Sequence, residues 1–183
     1  FGGWDSAHNL VEKDSFVDHA YKQGGPMGQD LPKRPGKAKA PTFAVWALKD
    51  PVSGNLDRIQ IIKGWYQNGY PQEKIYDVAW SDNRKPDAKT GKLPPVGNTV
   101  NIKNASYENS IGENELAAVW TDPDFDPSHH AVYYVRVLEI PTPRWSTYDA
   151  KAMGIAPPAG VDPVIQERAW SSPIWYTPDP SLV

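Results

Sequence analysis

The chain has 183 residues and a formal net charge of −3, from 19 Lys and Arg against 22 Asp and Glu. That balance leaves no basic footprint for nucleic acid, no stretch reaches the roughly 18 apolar residues of a membrane span, and the absence of cysteine excludes disulfides, thiolate metal sites and a cysteine nucleophile. Proline at 19 is about twice average usage and tryptophan reaches 8, which with few long helical patterns predicts an all-β chain rich in turns.

Residues 1–40 show no sustained periodicity and read as an irregular N-terminal arm. A short helix is expected over Leu10–Tyr21 with Asn9 as its N-cap, followed by an extended surface loop from Gly24 to Ala40. The chain opens on Phe1 rather than Met and no signal-peptide pattern precedes it, so it is expected to be a processed, proteolysed or incompletely determined chain.

Strand signals begin after Pro41. Thr42–Leu48 is apolar on both faces, as for a strand covered on both sides. Asp50–Asn55 is a turn. Asp57–Trp65 alternates, with Ile59 and Ile61 on one face. Asn68-Gly69 is a hairpin dipeptide, and Glu73–Trp80 is the returning strand. The polar, Pro-rich stretch 81–95 is a loop; Asn98–Lys103 reads as a short strand, and Tyr107–Asn114 fits no pattern. Leu116–Trp120 and Ala131–Leu138 are the firmest pair, because Tyr133, Val135 and Val137 alternate with Val132, Tyr134 and Arg136. A second Pro-rich loop spans 140–168, with one helical turn around Ser146–Met153. Ala169–Tyr176 is the last strand, an edge or a bulged one because Pro173 has no ladder donor. The pattern predicts an immunoglobulin-like antiparallel β-sandwich of about seven strands over 41–183. Tyr133 and Tyr134 stand where such sandwiches carry a tyrosine corner.

Four groups of residues could carry chemistry. Asp122, Asp124 and Asp126 alternate in a turn and offer hard oxygen ligands for calcium; the plainer reading is an Asx-turn connection with solvated carboxylates. His129 and His130 are adjacent and would face opposite sides of a strand, which suits surface positions better than chelation. Asp5, His8, Asp14 and His19 lie close together in the arm and suit a divalent Zn, Mn or Fe ion, against an ordinary polar arm. Trp145, beside Arg144 and Tyr148 in the long loop, is the best exposed platform for a sugar ring, which makes a non-catalytic carbohydrate-binding or structural module the alternative function. No GxSxG, HExxH or phosphate-cradling glycine loop is present.

The runs PMGQDLP (26–32), FAVWALKDP (43–51), LDRIQIIKGW (56–65), EKIYDVAWSDNR (73–84), LPPVGNTV (93–100), ELAAVWTDPDFDP (115–127), YYVRVLEIPTPRWSTYDA (133–150) and IQERAWSSPIWYTP (165–178) resemble the C-terminal portion of a bacterial family, domain-of-unknown-function family 3604. The resemblance implies a longer protein whose upstream part is similar to the PHP (polymerase and histidinol phosphatase) metal-dependent phosphoesterases. The arm would then be the remnant of an upstream catalytic domain, and that missing domain the partner of the sandwich. The family's Asp-x-His-Asn motif matches Asp5-Ser6-Ala7-His8-Asn9 here, with one residue more between Asp and His, so His8 and Asp5 are the implied metal ligands. The resemblance further implies a hydrolase incomplete in this chain alone, a small-molecule substrate, and a periplasmic or secreted bacterial location.

Overall fold

The computed structural model describes residues 1–4, 10–36 and 38–179. In chain order the strands are β1 (Gly2–Trp4), β2 (Gly24–Gly25), β3 (Pro41–Leu48), β4 (Leu56–Gln67), β5 (Tyr70–Trp80), β6 (Glu115–Thr121), β7 (Ala131–Pro143), β8 (Val164–Trp170) and β9 (Ile174–Tyr176). The α-helices are α1 (Phe16–Gln23) and α2 (Trp145–Met153). Two antiparallel sheets pack against each other as an all-β sandwich. One has the order β2-β1-β3-β6; the other runs β5-β4-β7-β8, with β9 paired to the start of β7. The chain changes sheet between β3 and β4, between β5 and β6, and between β6 and β7, which are the crossovers of an immunoglobulin-type sandwich.

The alternation of the strands decides what lies between the sheets. Phe43 of β3, Ile61 of β4 and Tyr133 of β7 meet in one buried cluster, with the Phe43 and Tyr133 ring centroids 4.5 Å apart. Leu56, Ile59 and Leu116 form a neighbouring cluster, and Val45, Val78 and Val135 pack against both. Burying an Ile or Phe side chain stabilises by about 1.5–3 kcal/mol. The β4–β5 hairpin closes on Asn68 and Gly69 at φ 53° and 82°, the pair of positive values that a twisted two-residue turn requires.

The N-terminal residues join this framework. β1 pairs with β3 and β2 pairs with β1, so the described part of the arm widens the first sheet. The α-helix begins at Phe16 rather than Leu10: Leu10–Glu12 is a 3-10 turn, and Ser15 stands at the N-cap. Asn9 lies outside the described residues. Leu10, Phe16 and Ala20 cover Ala44 on the outer face of β3. The first half of β3 is therefore buried on both faces and the second half is not. Within the expected loop of 24–40, Leu31 and Ala38 are buried and Leu31 N donates to Trp175 O at 2.7 Å.

Three further expectations are corrected. Residues 98–103 form no strand; Asn101 makes an isolated bridge with Ser106, because the segment has turn-forming Asn at both 101 and 104 and no partner strand. The strand expected to end at Leu138 continues through Pro143, tolerating Pro141 and Pro143 by a register shift between Leu138 and Pro141. The last strand, expected over Ala169–Tyr176, begins at Val164 inside the expected 140–168 loop and is split at Ser171–Pro173 into β8 and β9, and Ser171 Oγ accepts from Val135 N in place of the ladder bond.

The long loops are fastened by buried polar residues. Asn55 donates its backbone N–H to Asn109 Oδ1 at 2.8 Å and its Nδ2 to Ile111 O at 2.9 Å. The side chain of Asp57 has 0% exposure and accepts Arg84 Nη2 at 2.6 Å, Arg58 Nε at 3.1 Å and Gln166 Nε2 at 2.9 Å. Arg84 also donates to the carbonyls of Ser81 and Pro94, so one guanidinium holds both ends of the 81–95 loop. Removing it takes one of two cationic partners from a fully buried carboxylate and leaves Asp57 Oδ1 without its own. Arg84→Ala is expected to lower stability by about 3–5 kcal/mol in urea unfolding and to make residues 85–95 the first site of limited proteolysis.

Candidate functional site

The turn after β6 is built around one buried lysine. Lys63 lies two residues beyond Ile61 on β4, so period-two alternation sends it to the same inward face. Its side chain is 5% exposed and its ammonium meets Asp122 Oδ2 at 2.6 Å. It also donates to the carbonyl of Asp124 at 2.7 Å. Asp122, fully enclosed, receives the Tyr133 hydroxyl on Oδ2 at 2.7 Å and Asp124 N on Oδ1 at 2.9 Å. The expected tyrosine corner is thus present in altered form: Tyr133 at the head of β7 ties back to a carboxylate at the end of β6. Burial, then the Asp122 charge, pushes the Tyr133 phenol far above its usual range.

The other two carboxylates of the turn face outward. Asp124 Oδ2 accepts from Lys74 and, at 2.7 Å, from the Tyr76 hydroxyl, both on β5. These hydrogen bonds, Lys74 first, hold the Asp124 carboxyl below the usual carboxylate range, and burial together with Asp124 raises the Tyr76 phenol. Asp126 Oδ1 accepts the Ser128 hydroxyl at 2.6 Å and its backbone N at 2.8 Å, which lowers the Asp126 carboxyl as well. Its Oδ2 faces His129 Nδ1 at 3.6 Å. Asp122, Asp124 and Asp126 therefore do not converge; among the described residues no group of three or more His, Asp or Glu could hold a metal ion. A cavity of about 170 Å³ lies beside the turn, lined by Lys63, Trp65, Gln67, Asp124, Asp126 and His129.

The remaining candidates sit elsewhere. Asp5 and His8 lie outside the described residues, while Asp14 and His19 are exposed around α1. Trp145 is 70% exposed and Tyr148 42%, three apart and hence on one side of α2. Arg144 donates Nε to Asp162 O at 2.7 Å, so it braces the loop. An apolar groove of about 430 Å³ opens where β1 stops pairing with β3 and where the second sheet is interrupted between β8 and β9. Phe16, Tyr21, Met27, Trp46, Tyr134 and Trp170 line it, and among the described residues no charged side chain does.

A protein-family comparison matches residues 1–178 to "Protein of unknown function (DUF3604)". The chain belongs to this family. No curated protein and no solved structure matches it. Family membership covers the sandwich and the described arm together, from β1 through β9. Lys63, Lys74 and Tyr76 escaped the sequence reading, although a lysine on the apolar face of Asp57–Trp65 was the available signal.

Two outcomes are expected here. Lys63→Met strands Asp122 and should cost about 3–5 kcal/mol, whereas Lys63→Met combined with Asp122→Leu should cost less than that single change; urea unfolding of the three proteins checks it. The folded-state carboxyls of Asp124 and Asp126 are lowered, so the unfolded chain binds their protons more readily. Their stabilisation is complete above the unfolded carboxylate value of about 3.9 and is lost as pH falls through the lower folded values. Asp124→Asn should flatten that acid limb in melting temperatures measured between neutral pH and strong acid.

Proposed function

We propose that this chain is the β-sandwich segment of a metal-dependent hydrolase of PHP type, and that it meets the catalytic part of that longer protein through the apolar groove. The groove is the observation that supports the reading. Trp46, Trp170, Tyr21 and Met27 are each more than half exposed along it, and a contiguous apolar opening of this kind marks an interaction surface. The buried charged groups support it in another way. Lys63 is matched by Asp122, and Asp57 by Arg84 and Arg58, so these groups serve the fold. A divalent ion would supply water activation to the longer protein. The described residues offer no ligand set for it, so the implied ligands are His8 and Asp5 together with upstream residues. The substrate would be a small phosphoryl compound, and the bacterial, exported setting follows from the same resemblance.

Calorimetric titration of this chain with Zn and Mn is expected to show no tight site, and tight binding would sink the reading. Trp46→Glu and Trp170→Glu should each shift the stability of the isolated chain by no more than about 0.5 kcal/mol, because both side chains already face water. In the longer protein each should cost several times more in thermal unfolding. Equal effects in the two proteins would remove the groove as the docking face.

A further inference from the structure

We propose that the edge of β3 beyond its pairing with β1 takes up an extended apolar strand, antiparallel to β3, and that the stretch of the longer protein leading into Phe1 supplies it. The inference rests on the reading of this chain as one segment of a longer hydrolase, and it names the element that enters the groove.

The ladder between β1 and β3 runs one step past the start of β1. Gly3 pairs with Thr42 and Gly2 with Phe43. Phe1 and Ala44 then exchange both backbone bonds, Phe1 N to Ala44 O at 3.0 Å and Ala44 N to Phe1 O at 2.9 Å. Backbone groups on one edge of a strand belong to alternate residues. The N–H and C=O of Trp46 and Leu48 therefore share the edge of Ala44. Lys49 N, of the opposite parity, donates to Asn114 O at 3.0 Å on the β6 side. Among the described residues nothing pairs with β3 on the β1 edge past Ala44. A free edge of this kind is a template for a further strand. The Phe1 nitrogen points the same way. Its neighbourhood is aromatic, with the Phe16 and Tyr21 rings 5.9 and 4.9 Å from the Phe1 ring, and burial lowers the pKa of the amine. An ammonium brings three donors, yet among the described residues Ala44 O is its one partner. A peptide N–H brings the single donor that this position accepts.

The register dictates which way the added side chains face. The residue before Phe1 stands opposite Val45, which packs into the core beside Val135. The one before that stands opposite Trp46, on the outer face against Phe16. The groove has both kinds of wall: Val45, Val137 and Ala169 line it from inside the sandwich, and Phe16, Tyr21 and Trp46 from outside. An extended strand, whose side chains alternate, fills both at once, whereas an amphipathic helix presents its apolar side chains along one stripe. No charged side chain lines the groove among the described residues, so both faces of the added strand call for apolar side chains. Each residue advances about 3.3 Å, and continuing the register carries the strand along β3 towards Leu48.

The test compares hydrogen exchange of single amides, read by mass spectrometry, between this chain and the longer protein. In this chain the Val45 and Ala47 amides, which face β6, should exchange slowly and the Trp46 amide fast. In the longer protein Trp46 should slow by roughly tenfold or more, with Val45 and Ala47 slow in both. A proline placed two positions before Phe1 in the longer protein removes the N–H that Trp46 O accepts, and should speed Trp46 exchange several-fold. A proline directly before Phe1 removes an N–H that points away from β3, and should leave Trp46 slow. Circular dichroism checks that both variants fold, and the comparison of the unaltered proteins needs neither. The proposal is overturned if Trp46 exchanges equally fast in the two proteins, or if the two prolines act alike. Fast exchange at Trp46 together with a costly Trp46→Glu in the longer protein removes the strand and keeps the groove as the docking face. Slow exchange at Trp46 with no added cost of Trp46→Glu keeps the strand and removes that docking face.

Discussion

The ion pair between Lys63 and Asp122 is the constraint on which the end of this sandwich depends. Lys63 belongs to one sheet and Asp122 directly follows β6 of the other, so their contact at 2.6 Å ties the two sheets together. Taking two charges out of water costs several kcal/mol per ion, and the attraction offsets this only if the remaining hydrogen-bonding capacity is also filled. Here it is filled on both sides: Tyr133 and the Asp124 amide complete the carboxylate, and the Asp124 carbonyl takes a second ammonium proton. The geometry of the turn follows. Asp124 and Asp126 must face outward because Asp122 faces in, and the cavity beside them is the space this arrangement leaves.

The other polar anchors obey the same rule. Asp57 sits next to the core residues Leu56 and Ile59 and is enclosed by Arg84, Arg58 and Gln166, which come from a loop, its own strand and β8. Asn55 does the equivalent for residues 109–112. An unpaired polar group at any of these places would cost about 1–3 kcal/mol, more if charged. The loops at 81–95 and 109–112 are therefore each held by one buried side chain, Asp57 and Asn55. The surface features that face solvent include a groove at the interrupted sheet edge, without a charged side chain among its described lining residues, and a small cavity beside Trp65 and the β6–β7 turn.

Much of the fold was legible in strand periodicity. Ile59 and Ile61, and Tyr133, Val135 and Val137, announced both the strands and the faces they bury, since side chains alternate across a pleated strand whatever the partner is. Pro173 announced the break between β8 and β9, because it has no N–H to give. What failed was the register of Pro141 and Pro143, which are accommodated by a shift against β8, and Asn98–Lys103, whose alternation finds no neighbour. The aspartates of the candidate site were legible as a group but not in their roles. Trp145 and Tyr148 were placed on an exposed surface by reasoning and by the structure alike, while Asp5 and His8 lie outside the described residues.

By itself the sequence determined that this is an all-β chain with no thiol chemistry and no apolar run long enough for a spanning helix, and it carried the motifs of its family. Those properties are local: they depend on composition, period-two patterning and the backbone limits of proline and glycine. Tertiary structure alone decided that Lys63 is the partner of Asp122 and that Tyr76 and Lys74 belong to Asp124. These residues are separated by 50 or more positions in several cases, and a charge's role is set by what is folded against it. Position in the chain cannot specify that, because the same lysine is a solvated surface group when its strand is uncovered and a buried counter-ion when the second sheet closes over it.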